Sequence, residues 1–236
     1  MNDPLDPPPR PVSPALTTTR LERGRLDLDL PVDLSSVHAA LSTALPASSG
    51  SDDQLWQWVV VTDAEQRNRL AECYRRASRP YLEAMGGQAA GDPERCRSWR
   101  ASVDLAEHLH RVPVLVVPCL SMSPDAFEDR FGKPGFATPV DGVAHSVHHG
   151  ALWPALWGLV LALRLRGLAC AVTTLHLARA REAAGILRLP DHVTQAGLLA
   201  VARPEGTHVC PAPRRSVEAV QHQEFWRPAP SPARNA

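Results

Sequence analysis

Three groups of residues in this chain have the types and spacing to do chemistry. Arg20 and Arg23 stand near the start, in TTTRLERGRLDLDLPVD, and Arg214 and Arg215 near the end, in PAPRRSVEAV. Guanidinium forks present paired N–H donors and suit a phosphate dianion. Between them, PASSGSDDQLWQW places Ser48, Ser49 and Gly50 ahead of an apolar run. Small residues there let the backbone approach a flat ring closely. Thr173 and Thr174 then close a short apolar stretch with two hydroxyls. Each arginine alone reads as ordinary surface charge; the pattern lies in the set.

Other chemistries fail at the level of spacing. His145, His148 and His149 lie together in HSVHH, and His108 and His110 form a second pair. Neither has the helical H-E-x-x-H arrangement, and no carboxylate sits beside HSVHH at ligand spacing, so surface or pocket-wall roles are expected and no metal. G-x-S-x-G is absent, which removes the nucleophile elbow for Ser48, Ser49 and Ser51. No G-x-G-x-x-G or Walker loop occurs, so Rossmann and P-loop readings fail. Five cysteines, none in a C-x-x-C pair, fit reduced thiols in the cytoplasm. Lys+Arg 25 against Asp+Glu 25 gives no electrostatic reason to expect nucleic acid or an anionic membrane as partner. The first residues, MNDPLDPPPRPVSP, lack an apolar core and do not read as a signal peptide.

The elements that must position these residues centre on GALWPALWGLVLALRLRGLACAVTTL, residues 150–175. Trp153 to Leu165 reads as a helix buried on all sides, too short to span a bilayer. Arg164, Arg166 and Gly167 supply a basic last turn and a left-handed stop. Ala169 to Val172 reads as a buried strand. Upstream, residues 1–16 are Pro-rich and expected as a disordered arm. Asp33 caps a helix with Leu34, Val37, Leu41, Ala44 and Leu45 on one face. Gln57 to Thr62 is a strand, and Asp63 caps a helix to about Arg79 with Leu70, Cys73 and Tyr74 inward. Residues 86–92 read as a loop, Ser102 to His110 as a helix and Val114 to Pro118 as a strand. Residues 121–147 are expected to be irregular. Ala178 to Arg188 follows as a helix and Gln195 to Ala202 as a strand, with order ending near Trp226. One domain over 17–226 and a disordered tail over 227–236 result.

The chain as a whole resembles the nitroreductase family of FMN-dependent oxidoreductases, especially its actinobacterial branch, over roughly Thr17 to Trp226. TTRLERGRLDL looks like the family's opening phosphate-binding segment, with Arg20 and Arg23 on cationic positions and Leu21 where serine is common. ASSGSDDQLWQWVVVTD is similar to its second signature, which puts Ser48, Ser49, Gly50 and Asp52 against the flavin ring and ribityl chain. LWPALWGLVLALRLRGLACAVTTLHL looks like the family's buried helix and strand, bringing Thr174 and Leu175 near flavin N5. PAPRRSVEAVQHQEFW resembles the C-terminal segment that adds a phosphate cation, Arg214 or Arg215. Asp52 stands where asparagine is usual and Ser48 where proline is common.

That resemblance implies an α+β fold, a small mixed sheet flanked by helices, in an intertwined homodimer. It implies FMN as cofactor, NADH or NADPH as electron donor and a nitroaromatic, quinone or enone acceptor in a ping-pong reaction. The flavin supplies the chemistry, so no catalytic side chain is assigned. Two other readings share the pocket: a flavin-dependent tailoring dehydrogenase using oxygen, and a degenerate dimer that binds a ligand without turnover.

Overall fold

The computed structural model describes residues 14–19, 21, 23–47, 54–123, 125–126, 129, 143–206 and 216–226. In chain order its elements are α1 (Pro14–Thr18), β1 (Leu26–Asp27), α2 (Leu34–Ala44), β2 (Trp56–Val61), α3 (Ala64–Ala89), α4 (Pro93–His108), β3 (Val114–Leu120), α5 (Val143–Leu165), β4 (Ala169–Thr173), α6 (Ala180–Leu187), β5 (Thr194–Gln195) and β6 (Leu198–Pro204). Short 3-10 turns follow α4 and β4. None of the described helices is long and apolar enough to cross a membrane.

β3 is the middle of the sheet, and all seven of its residues are buried. One edge pairs with β2, from Trp56↔Leu120 to Val61↔Leu115. The other edge pairs with β6, from Val114↔Val201 to Val116↔Leu199, and with β5 at Cys119↔Gln195 and Leu120↔Thr194. β4 lies on the far side of β6, from Ala169↔Ala202 to Thr173↔Leu198, and β1 joins at Leu26↔Pro204. The α+β fold stands, as a six-stranded sheet flanked by helices. All described pairings are antiparallel, so the mixed character expected of the sheet finds no parallel pair among the described residues.

Alternation along the strands sorts the core into two layers. Leu115, Val117 and Cys119 of β3, with Ala171, Leu198 and Ala200, pack on Leu70, Tyr74 and Leu105 of α3 and α4. Val114 and Val116, with Val172, Leu199 and Val201, pack on Leu156, Leu159 and Leu163 of α5 and Val37 of α2. α5 packs on α2 with Gly158 against Ala44. The helix ends at Gly167 (φ +72°), where the N–H groups of Gly167 and Leu168 bond to the carbonyls of Arg164 and Leu163 at 3.0 Å. That double bond satisfies two orphan carbonyls and turns the chain into β4.

The ladder is interrupted once. Between Cys119↔Gln195 and Val116↔Leu199, residues 117–118 of β3 oppose residues 196–198. This is a one-residue β-bulge. Pro118 has no N–H to give a ladder bond, and its carbonyl accepts from the Ala196 N–H at 2.9 Å. Gly197 lies over it, its Cα side facing Pro118 and the Thr173 carbonyl at ordinary contact distance. The single strand expected over 195–202 is therefore two.

Several helices are longer than the sequence pattern suggests. α3 runs past Arg79 through Pro80, Gly86 and Gly87 to Ala89. The ring of Trp99 covers Gly86, and its Nε1–H donates to the Leu82 carbonyl at 2.9 Å. Packing against α4 thus holds residues that would form a loop alone, and the turn shrinks to Ala90–Asp92, with Gly91 at φ +90°. Asp92 caps α4 through the N–H groups of Glu94 and Arg95, which starts that helix at Pro93 rather than Ser102. α5 starts at Val143 rather than Trp153, and it is not buried on all sides: Val147, Trp153 and Trp157 are exposed. On α2 the buried face is Val37, Ala40 and Ala44, while Leu34 and Leu45 are exposed. Arg67 of α3 does not belong to a solvated face. It donates to the carbonyls of Thr62, His110 and Val112, at 3.1, 3.0 and 2.7 Å.

The two faces of α5 predict different responses to truncation. Leu159→Ala should lose about 2–5 kcal/mol of unfolding free energy, the usual result of a cavity at a fully buried leucine. Leu165→Ala, at a site 67% exposed, should change it by less than about 0.5 kcal/mol. Denaturant titration of both variants measures the difference.

Candidate functional site

Polar side chains collect where the sheet ends at Trp56, Leu120, Thr173 and Leu198. The chain enters β2 here, leaves β3 here and leaves β4 here. Ser48, Ser49, Gly50 and Asp52 lie outside the described residues, but both flanks of their loop are fixed at this end. The Gln54 side-chain amide donates to the Leu45 carbonyl at 3.2 Å, tying the flanks together. The Leu55 carbonyl accepts from the N–H and the hydroxyl of Ser121, at 2.7 and 3.0 Å. Trp56 is 3% exposed, and its indole N–H meets no acceptor among the described residues.

The turn after β4 is built from hydroxyls. Thr173 Oγ1 lies 3.1 Å from the Tyr74 Oη of α3 and accepts the Leu175 N–H at 3.3 Å. Thr174 beside it is exposed, and Leu175 is half-buried against the α3 layer. Burial raises the Tyr74 phenol above its ordinary value, while the Thr173 hydrogen bond and the charge of Arg23 pull part of the way back. The phenol is therefore neutral at physiological pH. Arg23, far away in sequence, is thus close enough for its field to reach the foot of β4.

Arg23 is exposed and also borders a cleft of about 310 Å³ between β1 and α4. Asp27, Asp29, Asp104 and Glu205 line that cleft with Arg111, and Arg111 donates to Asp29 at 2.6 Å. So many carboxylates make the cleft itself a poor seat for a dianion. Leu21 is exposed and offers no polar group. Arg20, Arg214 and Arg215 lie outside the described residues. The structure therefore holds Thr174 and Leu175 together in the turn after β4, and Arg23 at the cleft beside β1.

Sequence reasoning missed the polar residues behind the turn. His176 is fully buried, and burial lowers its pKa to about 4. The Gln195 amide approaches the ring and opposes that shift without completing a hydrogen bond to either nitrogen, and it donates to the Ala180 carbonyl at 2.8 Å. The signal for Tyr74 was present: an inward tyrosine needs a partner for its hydroxyl. Nothing in the sequence marks Gln195, because its facing depends on the bulge.

Thiol chemistry has no support among the described residues. Burial pushes Cys119 and Cys170 up to about 12 and raises Cys73, so none is a ready nucleophile. Cys73, Cys96, Cys119 and Cys170 are free, and Cys210 lies outside the described residues. His148 is buried with its ring edge-on to His149, at 5.2 Å between centroids. The His145 side chain lies outside the described residues. Among the described residues, no three His, Cys, Asp or Glu side chains gather as metal ligands.

Comparison with known proteins follows from this geometry. The family model described as the nitroreductase family matches residues 23–203. No curated sequence matches the chain. A BluB-like flavoprotein from Clostridium difficile 630 superposes with a TM-score of 0.66 at 16% identity, over 89% of this chain and 96% of that one. Iodotyrosine deiodinase bound to FMN and 3-iodo-L-tyrosine gives 0.64 at 19%, over 89% and 98%. NADPH:FMN oxidoreductase from Vibrio harveyi, complexed with NAD+, gives 0.62 at 17%, over 91% and 77%. At such identities the superpositions speak for the fold.

The buried His176 makes a pH prediction. The unfolded chain protonates this imidazole below its ordinary value of 6.5, whereas the folded chain resists until about 4. Stability is then complete above pH 6.5 and is lost as pH falls toward 4. Between pH 7.5 and 5 the loss should be about 2 kcal/mol. Urea unfolding of wild type and His176→Gln at both pH values isolates it, because the variant should lack that part of the slope.

Proposed function

The chain belongs to the nitroreductase family, and from that premise we propose that it is an FMN-dependent oxidoreductase serving an electron-poor small molecule. The observation that carries this reading is the hydroxyl-built turn after β4 in a chain whose residues 23–203 match the family. Arg23, matched to the phosphate-binding segment, acts on Tyr74, which bonds to Thr173 beside Thr174 and Leu175.

The described residues fit such a cofactor in their donor chemistry. The exposed residue Thr174 offers a hydroxyl that can hydrogen-bond to ring heteroatoms. Arg23 supplies a cation for the phosphate, joined in this reading by Arg20 and by Arg214 or Arg215. Ser48, Ser49, Gly50 and Asp52 are proposed to line the ring and ribityl chain from the loop before β2. When bound, FMN would supply the hydride chemistry between NADH or NADPH and a nitroaromatic, quinone or enone. The protein's part is to hold the ring against the β4 turn, with apolar side chains behind it to exclude water. Thr173, Tyr74 and the bulge at Gly197 make that turn rigid.

Within the family, the composition rich in Ala, Arg and Pro supports placement in the actinobacterial branch, and the scattered, unpaired cysteines support a cytoplasmic setting. The exposed apolar stripe of Val147, Trp153 and Trp157 on α5 supports a homodimer. A second copy would cover side chains that water now reaches.

Three measurements test the reading. Purified protein should be yellow or become so on adding FMN; a colourless protein that takes up none removes it. Arg23→Ala should weaken FMN by about one to two decades, the worth of a charge-assisted bond of about 1.5–3 kcal/mol. Arg97→Ala, an exposed arginine on α4, should not. Sedimentation should show a dimer at micromolar concentration, shifted toward monomer by Trp157→Glu.

A further inference from the structure

Building on the flavin reading, we propose that Tyr74 is a positioning residue, whose hydroxyl sets the backbone N–H of Leu175 through Thr173 Oγ1. The three groups form one chain of contacts: Tyr74 Oη to Thr173 Oγ1 at 3.1 Å, and Leu175 N–H to the same oxygen at 3.3 Å. Tyr74 is 1% exposed and Thr173 6%, so water does not substitute for either partner. The Leu175 N–H opens a 3-10 turn, where the first amides lack an internal acceptor. It is therefore an amide that the turn can offer outward, and Thr173 Oγ1 competes for it.

How firmly Thr173 competes depends on Tyr74. A threonine hydroxyl has two lone pairs and one proton. If Tyr74 donates, its O–H takes one lone pair, and the Leu175 N–H takes the other. If Thr173 donates instead, its oxygen is polarised and accepts the amide more strongly. At 3.3 Å the amide bond is longer than the usual 2.9–3.0 Å, so Thr173 holds it loosely. The amide is thus restrained in direction and still able to turn toward a ligand over the β4 end. Placing the partner on α3 matters too: the helix is tied to α4 by Trp99 and to the 3-10 turn that leads into β3 by Arg67. The apolar layer around Tyr74 would accommodate a phenylalanine ring equally well, so the hydroxyl is present for Thr173.

The test uses Y74F, T173V and T173S in the full chain. In flavin-free protein, amide hydrogen exchange at Leu175 should rise about tenfold in Y74F and T173V, the worth of one hydrogen bond, and stay near wild type in T173S. In flavin-loaded protein, the limiting rate of flavin reduction by NAD(P)H should fall about tenfold in Y74F and T173V, with KM and FMN affinity within about threefold. The double variant Y74F/T173V should be no slower than either single one, because both break the same chain. Unchanged exchange at Leu175 in Y74F, or losses that multiply in the double variant, would overturn the positioning role alone. Wild-type protein that takes up no flavin, with the exchange response present, would instead overturn the cofactor reading and the role in hydride transfer.

Discussion

Burial of β3 on both faces is the constraint on which the rest of this structure depends. Its seven residues have no access to water, so each face needs its own apolar cover. α3 and α4 supply one and α5 with α2 the other. At roughly 25 cal/mol per Å², covering both faces outweighs local preference in the helices that do it. That is why α3 tolerates Pro80 and two consecutive glycines, and why α5 tolerates Pro154. Propensity penalties of about 1 kcal/mol for glycine and about 3 for proline are small beside the loss of a whole layer.

The same constraint decides where polar groups can be. Inside the layers they would be stranded, so they collect at the strand ends, where chain reversals leave backbone groups to satisfy. Tyr74 and Thr173 satisfy each other, and Gln195 satisfies the Ala180 carbonyl. His176, kept neutral by burial with no completed bond, and the Trp56 indole are among the exceptions. Ligand binding at such an end adds to polar groups already held in place, and the surrounding core resists their movement.

The long strands were legible in the sequence; β1, the split between β5 and β6, and the helix lengths were not. VLVVPCL and ACAVT are continuous apolar runs, as expected of strands covered on both faces. Helix ends were misread where a tertiary contact overrules local preference: Trp99 on Gly86 extends α3, and packing on the sheet carries α5 past Gly150 and Pro154. The caps at Asp33 and Asp63 and the stop at Gly167 were readable, because each is satisfied within a few residues. For the site, Arg23, Thr174 and Leu175 came from family-like spacing. Tyr74 and Gln195 did not, since their roles depend on partners 99 and 15 residues away.

The bulge at residues 196–198 gives the chain's length at that point a chemical meaning. Paired residues share a face, so the extra residue places Gln195 opposite Cys119, on the layer that holds His176 and the Ala180 carbonyl. Were the ladder to run on unbroken from Val116↔Leu199 instead, the parity of everything before Leu198 would reverse. Gln195 would then stand opposite Leu120 and press its amide among Leu152 and Ala155 of α5, where only carbon surrounds it. The unbroken register would keep every side chain, yet move a polar group into the wrong half of the molecule. Loss of one residue at 196–197 closes the bulge and leaves Gln195 opposite Cys119, so among descendants of this sequence the facing of Gln195 should survive a deletion there.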